Sequence, residues 1–318
     1  MIDVTGLPVA AGGAVTVRVP AKVNVRLAVG PPRADGFHDL VNVFHAVSLY
    51  DDVTAAEPVE PGAYSVRVTG LSADQVPLDG GNLAVRAARA LAAHAGRAYG
   101  ADLQIRKAIP VAGGMAGGSA DAAGALVACN ELWGLGLTRE ELMEIGGDIG
   151  SDVPFALLGG TAVGTGRGER LAPAEVGGRF HWVFALAEGG LSTAEVYATC
   201  DRLRAEAGVT AGPPRANAAL MEALRAGDAA ALGRELANDL QPAALALMPG
   251  LAGVLAAGRE RGALGAIVSG SGPTCAFLTG SAAEAAALAA GLEAAGVCRA
   301  ALTAYGDVPG AAVVAAAP

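Results

Sequence analysis

Pro110-Val-Ala-Gly-Gly-Met-Ala-Gly-Gly-Ser-Ala-Asp-Ala-Ala-Gly124 leaves an apolar strand, crosses a glycine-dense loop and enters an alanine-rich helix. Gly113, Gly114, Gly117 and Gly118 lack a Cβ, so the backbone can take positive φ and lie against a ligand with its N–H groups turned inward. Ser119 and Asp121 fall where N-cap and first-turn residues belong, and the free N–H groups and dipole of the following helix favour an anion. A plain strand-to-helix turn needs fewer glycines than two Gly-Gly pairs so close together. The stretch therefore reads as a phosphate cradle. No Gly-Lys-Ser/Thr follows it and the spacing is not G-x-G-x-x-G, so it is neither a Walker A loop nor a dinucleotide fingerprint.

Upstream of the loop, residues 14–19 and 22–29 alternate apolar and polar, which predicts two strands broken at Pro20. Val23, Val25 and Leu27 point one way and leave Lys22, Asn24 and Arg26 together on the other face, either a solvated edge or one wall of a site. The turn at Asp35-Gly36 delivers Phe37 and His38 side by side, a pair that suits a planar ring, although a lone histidine is more often structural. Strands are expected over 43–49, 64–68 and 101–109, the last feeding the loop, with a helix over 82–95 that keeps Arg86 and Arg89 outside.

Downstream, the alanine helix runs to about Trp133, and Thr138-Arg-Glu-Glu141 is a capping box opening a helix weakened by Gly146-Gly147. Asp152 stands at a sharp junction before Pro154, where it is either a local cap or a carboxylate held on a rigid corner. Gly164, Gly166 and Gly168 fit a hairpin. A strand over 181–186 leads to a helix capped by Ser192 or Thr193, and further helices are expected over 217–225, 228–236 and 249–261. Strand 264–268, the small-residue loop 269–274, strand 275–278, an Ala/Glu helix and strand 299–305 make a compact α+β unit, so the first half ends near 159–170.

The length of 318 residues suits two domains or one large one. A net charge of −9 with 17% charged residues argues against a nucleic-acid partner, and an anionic ligand would need a local positive site. No uncharged apolar run is long enough to cross a bilayer; the most apolar window, 282–297, carries Glu284 and Glu293. Asp3 and the absence of a basic segment before an apolar run lead us to expect no secretory signal. Cys129, Cys200, Cys275 and Cys298 lie far apart in apolar surroundings without C-x-x-C spacing, which fits buried thiols in a cytoplasmic protein.

Taken together, the strand with Lys22 and Asn24, the Gly-Gly-x-x-Gly-Gly-Ser loop and Ser269-Gly-Ser-Gly-Pro-Thr274 resemble the GHMP family of small-molecule kinases over nearly the whole chain. Ala21-Lys-Val-Asn24, Asp35-Gly-Phe-His38, Ile109-Pro110, Gly150-Ser-Asp-Val-Pro154, Asn238-Asp-Leu240 and Ser269 to Cys275 are most similar to the branch acting on a cytidine-diphosphate-linked methylerythritol. The resemblance implies an α+β fold of two domains, a ribosomal S5-like one over 1–165 and a ferredoxin-like one over 166–318. It implies transfer of the ATP γ-phosphoryl group to the C2 hydroxyl of the erythritol moiety, in non-mevalonate isoprenoid biosynthesis.

By the same resemblance Asp152 is the base and Lys22 its lysine. ATP falls to Pro110, Val111, Ala112, Gly113, Gly114, Met115, Ala116, Gly117, Gly118, Ser119, Ala120 and Lys107, with Asn82 near the adenine. Phe37, His38 and Tyr197 would hold the cytosine, Asn24 and Thr193 would lie near the reacting end, and Gly270, Ser271 and Gly272 would touch the substrate. The family more commonly has Tyr at Phe37, which keeps the stacking face and loses a hydroxyl, and further glycine at Met115-Ala116. Magnesium is expected with ATP, its ligands unassigned, and no membrane or nucleic-acid partner is implied; the protein would be a monomer or homodimer. A kinase of homoserine or mevalonate would keep the glycine loops but have no use for the aromatic pocket, and a non-catalytic binding protein would lack Lys22 or Asp152.

Overall fold

The alternating valines carry straight through Pro20, so β1 (Val15–Pro32) is one strand rather than two. A register shift against the neighbouring strand between Pro20 and Ala21 accommodates the proline, which has no N–H to give to a regular ladder. The computed structural model describes residues 13–314; the segment bearing Asp3 lies outside them.

In chain order the remaining elements of the first half are β2 (His38–Ala56), β3 (Tyr64–Gly70), α1 (Leu83–His94), β4 (Ala101–Lys107), α2 (Gly117–Leu132), α3 (Arg139–Ile149), α4 (Val153–Leu158) and β5 (Thr161–Gly166). The second half supplies β6 (Arg170–Pro173), β7 (Phe180–Leu186), α5 (Thr193–Glu206), α6 (Ala218–Ala226), α7 (Ala229–Glu235), β8 (Ala237–Asn238), α8 (Gln241–Leu247) and α9 (Gly250–Glu260). It closes with β9 (Gly265–Val268), β10 (Cys275–Thr279), α10 (Ala282–Ala294), β11 (Ala300–Gly306) and β12 (Ala312–Val313).

Eight strands form the first sheet, in the order β12-β1-β2-β4-β3, with β5 on β2, β6 on β5 and β8 on β1. Its inward side chains, among them Val17, Val19, Val23 and Val25, are buried beneath α2. That helix is apolar nearly all round and lies so close that a Cβ on Gly124 would stand 2.6 Å from Val53. The second sheet, β11-β7-β10-β9, packs Val183 and Phe277 against Leu251 and Leu255 of α9 and Leu288 and Leu292 of α10. The sheets do not part at one point of the chain, because β6, β8 and β12 pair into the first sheet from the second half.

Thr138 and Glu141 form the expected capping box, and α3 runs on through Gly146-Gly147. Gly146 faces α4, where a Cβ would meet Val153 at 2.8 Å, so close helix packing accounts for one glycine of that pair. Cys129, Cys200 and Cys275 are buried free thiols; burial pushes Cys129 and Cys275 up to about 12, which leaves them unreactive.

Candidate active site

A cavity of about 860 Å³ opens where β1, β2, the glycine loop, the start of α4, α5 and the loop at 270–272 converge. Of the residues singled out from the sequence it brings together Lys22, Asn24, Phe37, His38, Asp152, Thr193, Tyr197 and Gly270 to Gly272, together with Pro110, Ala112 to Gly114 and Ala116 to Ser119. Val111, Met115, Ala120, Asn82 and Lys107 do not line it.

Strand periodicity puts Lys22 and Asn24 on the same wall, facing the cavity rather than bulk solvent. Lys22 is buried and donates from Nζ to Asn24 Oδ1 at 2.6 Å and to the Gly114 carbonyl at 3.1 Å, with Asp152 Oδ2 at 3.7 Å. Burial pushes the Lys22 ammonium below its ordinary value while Asp152 pulls the other way. An ammonium only donates, so Asn24 must turn its oxygen to it; its Nδ2 then donates to Asn42 Oδ1 at 2.8 Å.

Pro154 lies in the first turn of α4, where its missing N–H costs nothing, and Asp152 is the preceding cap residue. Its carboxylate makes no cap hydrogen bond and is 31% exposed, so it does not act as a local cap but stands toward Lys22 at the corner before α4. A carboxylate beside a desolvated ammonium can accept a hydroxyl proton while the ammonium stabilises negative charge developing next to it.

The glycine loop differs from expectation at its helix end. Ala116, not Ser119, is the N-cap of α2, in the left-handed conformation with φ 60° and without a side-chain cap. Ala112 and Gly114 also take positive φ, 52° and 72°. Two alanines held there cost about 1 kcal/mol or more each, strain of the kind stored where a backbone must present its N–H groups in one direction. The N–H groups of Gly117, Gly118 and Ser119 have no partner among the described residues and offer an anion site at the start of a long helix. Met115 and Ala120 are buried in the core instead.

Asn82 and Lys107 are engaged elsewhere. Asn82 caps α1, accepting from Ala84 N and donating to the Pro77 carbonyl. Lys107 lies beneath the loop in a buried ion cluster with Asp51 and Asp121.

At the far end His38 and Tyr197 stand with ring centroids 5.0 Å apart, and His38 Nε2 meets the Asp201 carboxylate at 3.0 Å. Burial pushes the Tyr197 hydroxyl well above its ordinary range. Phe37 is 49% exposed and carries the Arg167 guanidinium 5.2 Å from its ring centre. Thr193 Oγ1 and Ser271 Oγ meet at 3.0 Å. The loop at 270–272 rests on Asn238, whose Nδ2 donates to the Val268 and Gly270 carbonyls at 2.8 and 2.7 Å.

Sequence reasoning missed Asn42 and Arg167. Asn42 was findable, because His38, Leu40 and Asn42 share one face of β2 by simple alternation and all three line the cavity. Arg167 sits at a hairpin tip between two glycines, where nothing local distinguishes it from a solvated charge. With Lys22 it is one of two lysine or arginine side chains lining the cavity. Among the described residues no group of three or more His, Cys, Asp or Glu is placed to hold a metal ion.

Comparison with known proteins agrees with this architecture. The model for the GHMP kinases N terminal domain matches residues 82–160, and that for GHMP kinases C terminal matches 220–298. The 4-diphosphocytidyl-2-C-methyl-D-erythritol kinase of Thermobifida fusca is 61% identical over 305 residues, 94% of this chain and 98% of that protein. The protein of the same name from Streptomyces coelicolor is 62% identical over 302 residues, 94% and 99% of the two chains. A crystal structure of 4-(cytidine 5'-diphospho)-2C-methyl-D-erythritol kinase superposes with a TM-score of 0.73 at 31% identity, covering 91% of this chain and 98% of its own. The homoserine kinase of Cytophaga hutchinsonii shares the fold alone, with a TM-score of 0.72 at 18% identity over 98% of this chain and 100% of its own. The two-domain α+β GHMP kinase fold expected from the sequence is thus the one observed, and at this identity over this length the chain belongs to the 4-diphosphocytidyl-2-C-methyl-D-erythritol kinase family.

Proposed function

We propose that this protein transfers the γ-phosphoryl group of ATP to the C2 hydroxyl of 4-diphosphocytidyl-2-C-methyl-D-erythritol, releasing the 2-phosphate and ADP in non-mevalonate isoprenoid biosynthesis. The observation that carries this reading is the Lys22–Asp152 pair, 3.7 Å apart, between an open phosphate loop and an aromatic pocket within one cavity. Asp152 receives the hydroxyl proton and Lys22 steadies charge on the transferred group, in a reaction that depends mostly on positioning and electrostatics. The N–H groups of residues 117–119 hold the ATP phosphates. Phe37 and Tyr197 flank the cytosine, each stacking contact contributing about 1–3 kcal/mol, and His38 reads its edge. Asn24, Thr193 and residues 270–272 orient the acceptor.

In this reading residues 1–165 carry the nucleotide loop and the reacting pair, and 166–318 close the cavity. Mg²⁺ enters with ATP. Among the described residues there is no carboxylate cage, so the ion would be held chiefly by phosphate oxygens and water. A cytoplasmic monomer or homodimer belongs to the same proposal, in keeping with thiols that form no disulfide.

The test is magnesium-dependent ADP release with the cytidine compound, homoserine and mevalonate, with Asp152→Ala alongside. Turnover of the cytidine compound alone, reduced about 10²–10⁴-fold in the variant, is expected. Turnover of another alcohol instead removes the roles given to Phe37, His38 and Tyr197.

A further inference from the structure

Beneath the phosphate loop, on the side away from the cavity, three ionisable side chains meet out of reach of water. Lys107, the last residue of β4, donates from Nζ to Asp51 on β2, to Asp121 Oδ2 on α2 at 2.7 Å and to the Gly117 carbonyl at 3.3 Å. Asp51 Oδ1 accepts from the backbone N–H groups of Ala108 at 2.7 Å and Ile109 at 2.9 Å. Lys107 and Asp121 are each 3% exposed and Asp51 not at all. The cluster therefore grips the loop at both ends, at 107–109 where it leaves β4 and at Gly117 and Asp121 where it enters α2.

The two acids are not equivalent. Asp51 accepts hydrogen bonds on both oxygens, the setting of an ionised carboxylate. Asp121 Oδ1 is buried with no partner among the described residues. Two carboxylates against one ammonium leave a surplus charge in a dry place. A proton on Asp121 removes it, and an unpaired hydroxyl costs far less than an unpaired charge. Burial pushes Asp121 well above the ordinary carboxylate range against the pull of Lys107, with Asp51 adding like-charge repulsion. Burial works against the Lys107 ammonium, but the two acids raise it above its ordinary value.

Among the described residues no other ionisable group bears on Asp121. From β2 it faces Asp51 and from β4 Lys107, while α1 and α3 contribute buried apolar side chains such as Val85 and Leu142 to the same core. Lys22 on β1 and Asp152 before α4 lie on the cavity side of the loop.

We propose that Asp51, Lys107 and Asp121 form a positioning triad for the ATP-binding loop, with Asp121 its protonated member, so that nucleotide affinity depends on a single negative charge lying beneath the loop. The proposal rests on reading the loop as the ATP site. None of the three side chains lines the cavity, so each acts through the backbone of 108–109 and 117.

The experiment is calorimetric titration of the whole protein with MgATP, without acceptor, at pH 7 and pH 9, for wild type, Asp121→Asn and Asp51→Asn. Wild type is expected to bind about tenfold more weakly at pH 9, as Asp121 ionises. Asp121→Asn keeps an acceptor for Lys107 and cannot ionise, so it should match wild type at pH 7 and lose the alkaline weakening. The nucleotide's own titration is common to both proteins and cancels in the comparison. Asp51→Asn keeps the backbone acceptor but turns an amide donor toward Lys107, and about tenfold weaker binding at pH 7 is expected. If Asp51→Asn does not fold, Lys107→Met should show the same loss. Equal alkaline weakening in wild type and Asp121→Asn overturns the role of Asp121. A lower melting temperature in Asp51→Asn and Lys107→Met with unchanged affinity overturns the triad. Wild type that binds MgATP in the expected pattern but does not phosphorylate the cytidine compound upholds the triad and refutes only the acceptor; wild type that does not bind MgATP overturns both.

Discussion

Gly114→Ala probes the loop where it touches the second half of the molecule most closely. A Cβ there would stand 2.1 Å from the Ser269 carbonyl oxygen and 3.0 Å from Gly272 N. Carbon and oxygen settle no closer than about 3.3 Å, so the two loops must part by about 1 Å. Left-handed backbone at φ 72° adds about 1–2 kcal/mol for alanine. That conformational cost is tolerable, since Ala112 and Ala116 already bear it; the clash with backbone decides the outcome. Gly114 O accepts from Lys22 Nζ at 3.1 Å and from Ser269 Oγ at 3.0 Å, and parting the loops stretches both. Lys22 then loses one of its acceptors and shifts relative to Asp152. Misplacing a reacting group by about 1 Å costs about 10²-fold, so kcat for ADP release under saturating substrates should fall about a hundredfold. Gly147→Ala is the control: its Cβ would meet only Pro154, at 3.9 Å, so kcat should hold. Alanine inside that helix should also raise stability by about 0.5–1 kcal/mol. A Gly114→Ala enzyme within about threefold of wild-type kcat would refute the argument that this contact sets Lys22.

Two stability predictions follow from the core. His45 is buried, its Nδ1 bonded to Thr161 Oγ1 at 2.7 Å and Thr161 in turn donating to Asp307 at 3.0 Å. Nε2 has no hydrogen-bond partner among the described residues, and burial pushes the imidazole down from 6.5 to about 4, against a smaller upward pull from the Gly306 backbone. With the folded value below the unfolded one, the group is neutral in both states above pH 6.5, and the unfolded chain takes up the proton first as pH falls. Stability should therefore drop by about 3 kcal/mol between pH 6.5 and 4, at about 1.36 kcal/mol per pH unit. Denaturant melts of wild type and His45→Gln across that range check it, and an equal acid loss in both would sink the assignment. Gly258→Ala drives a methyl group to 2.1 Å from Phe277 Cε1 in a packed core, so the unfolding free energy should fall by about 1–3 kcal/mol, read as a lower denaturation midpoint with unchanged m. An unchanged midpoint would mean that α9 lifts off β10 at little cost.

Local pattern carried the reading of most elements, because caps and alternation are local facts. Asn82, Thr138, Ser192, Asn217, Asp228 and Ser281 each cap a helix in the structure. Pairing partners are not local: β8 and β12 are two residues each, too short for any periodicity, and exist because β1 offers them an edge. The same division runs through the site. Lys22, Asn24 and Asp152 were legible from strand face and helix corner, and the loop from its glycines. Ser119 as N-cap was not borne out, because Ala116 takes a backbone conformation that side-chain preference does not anticipate. Lys107 and Asn82, which the resemblance assigns to ATP, are buried and bonded to other protein groups, an orientation that no local pattern announces.

The strands that return to the first sheet bear on how the protein can be engineered. Asn238 follows Ala237 alongside β1 and also holds the loop at 270–272, while β12 completes the edge of the sheet that carries Lys22. The two halves are laced together, so the second half is not an exchangeable cassette. A chimera that swapped it between relatives at a single junction would import three foreign strands into the first sheet. Altered acceptor choice is better sought by point changes around Phe37, Arg167 and Tyr197 than by recombination.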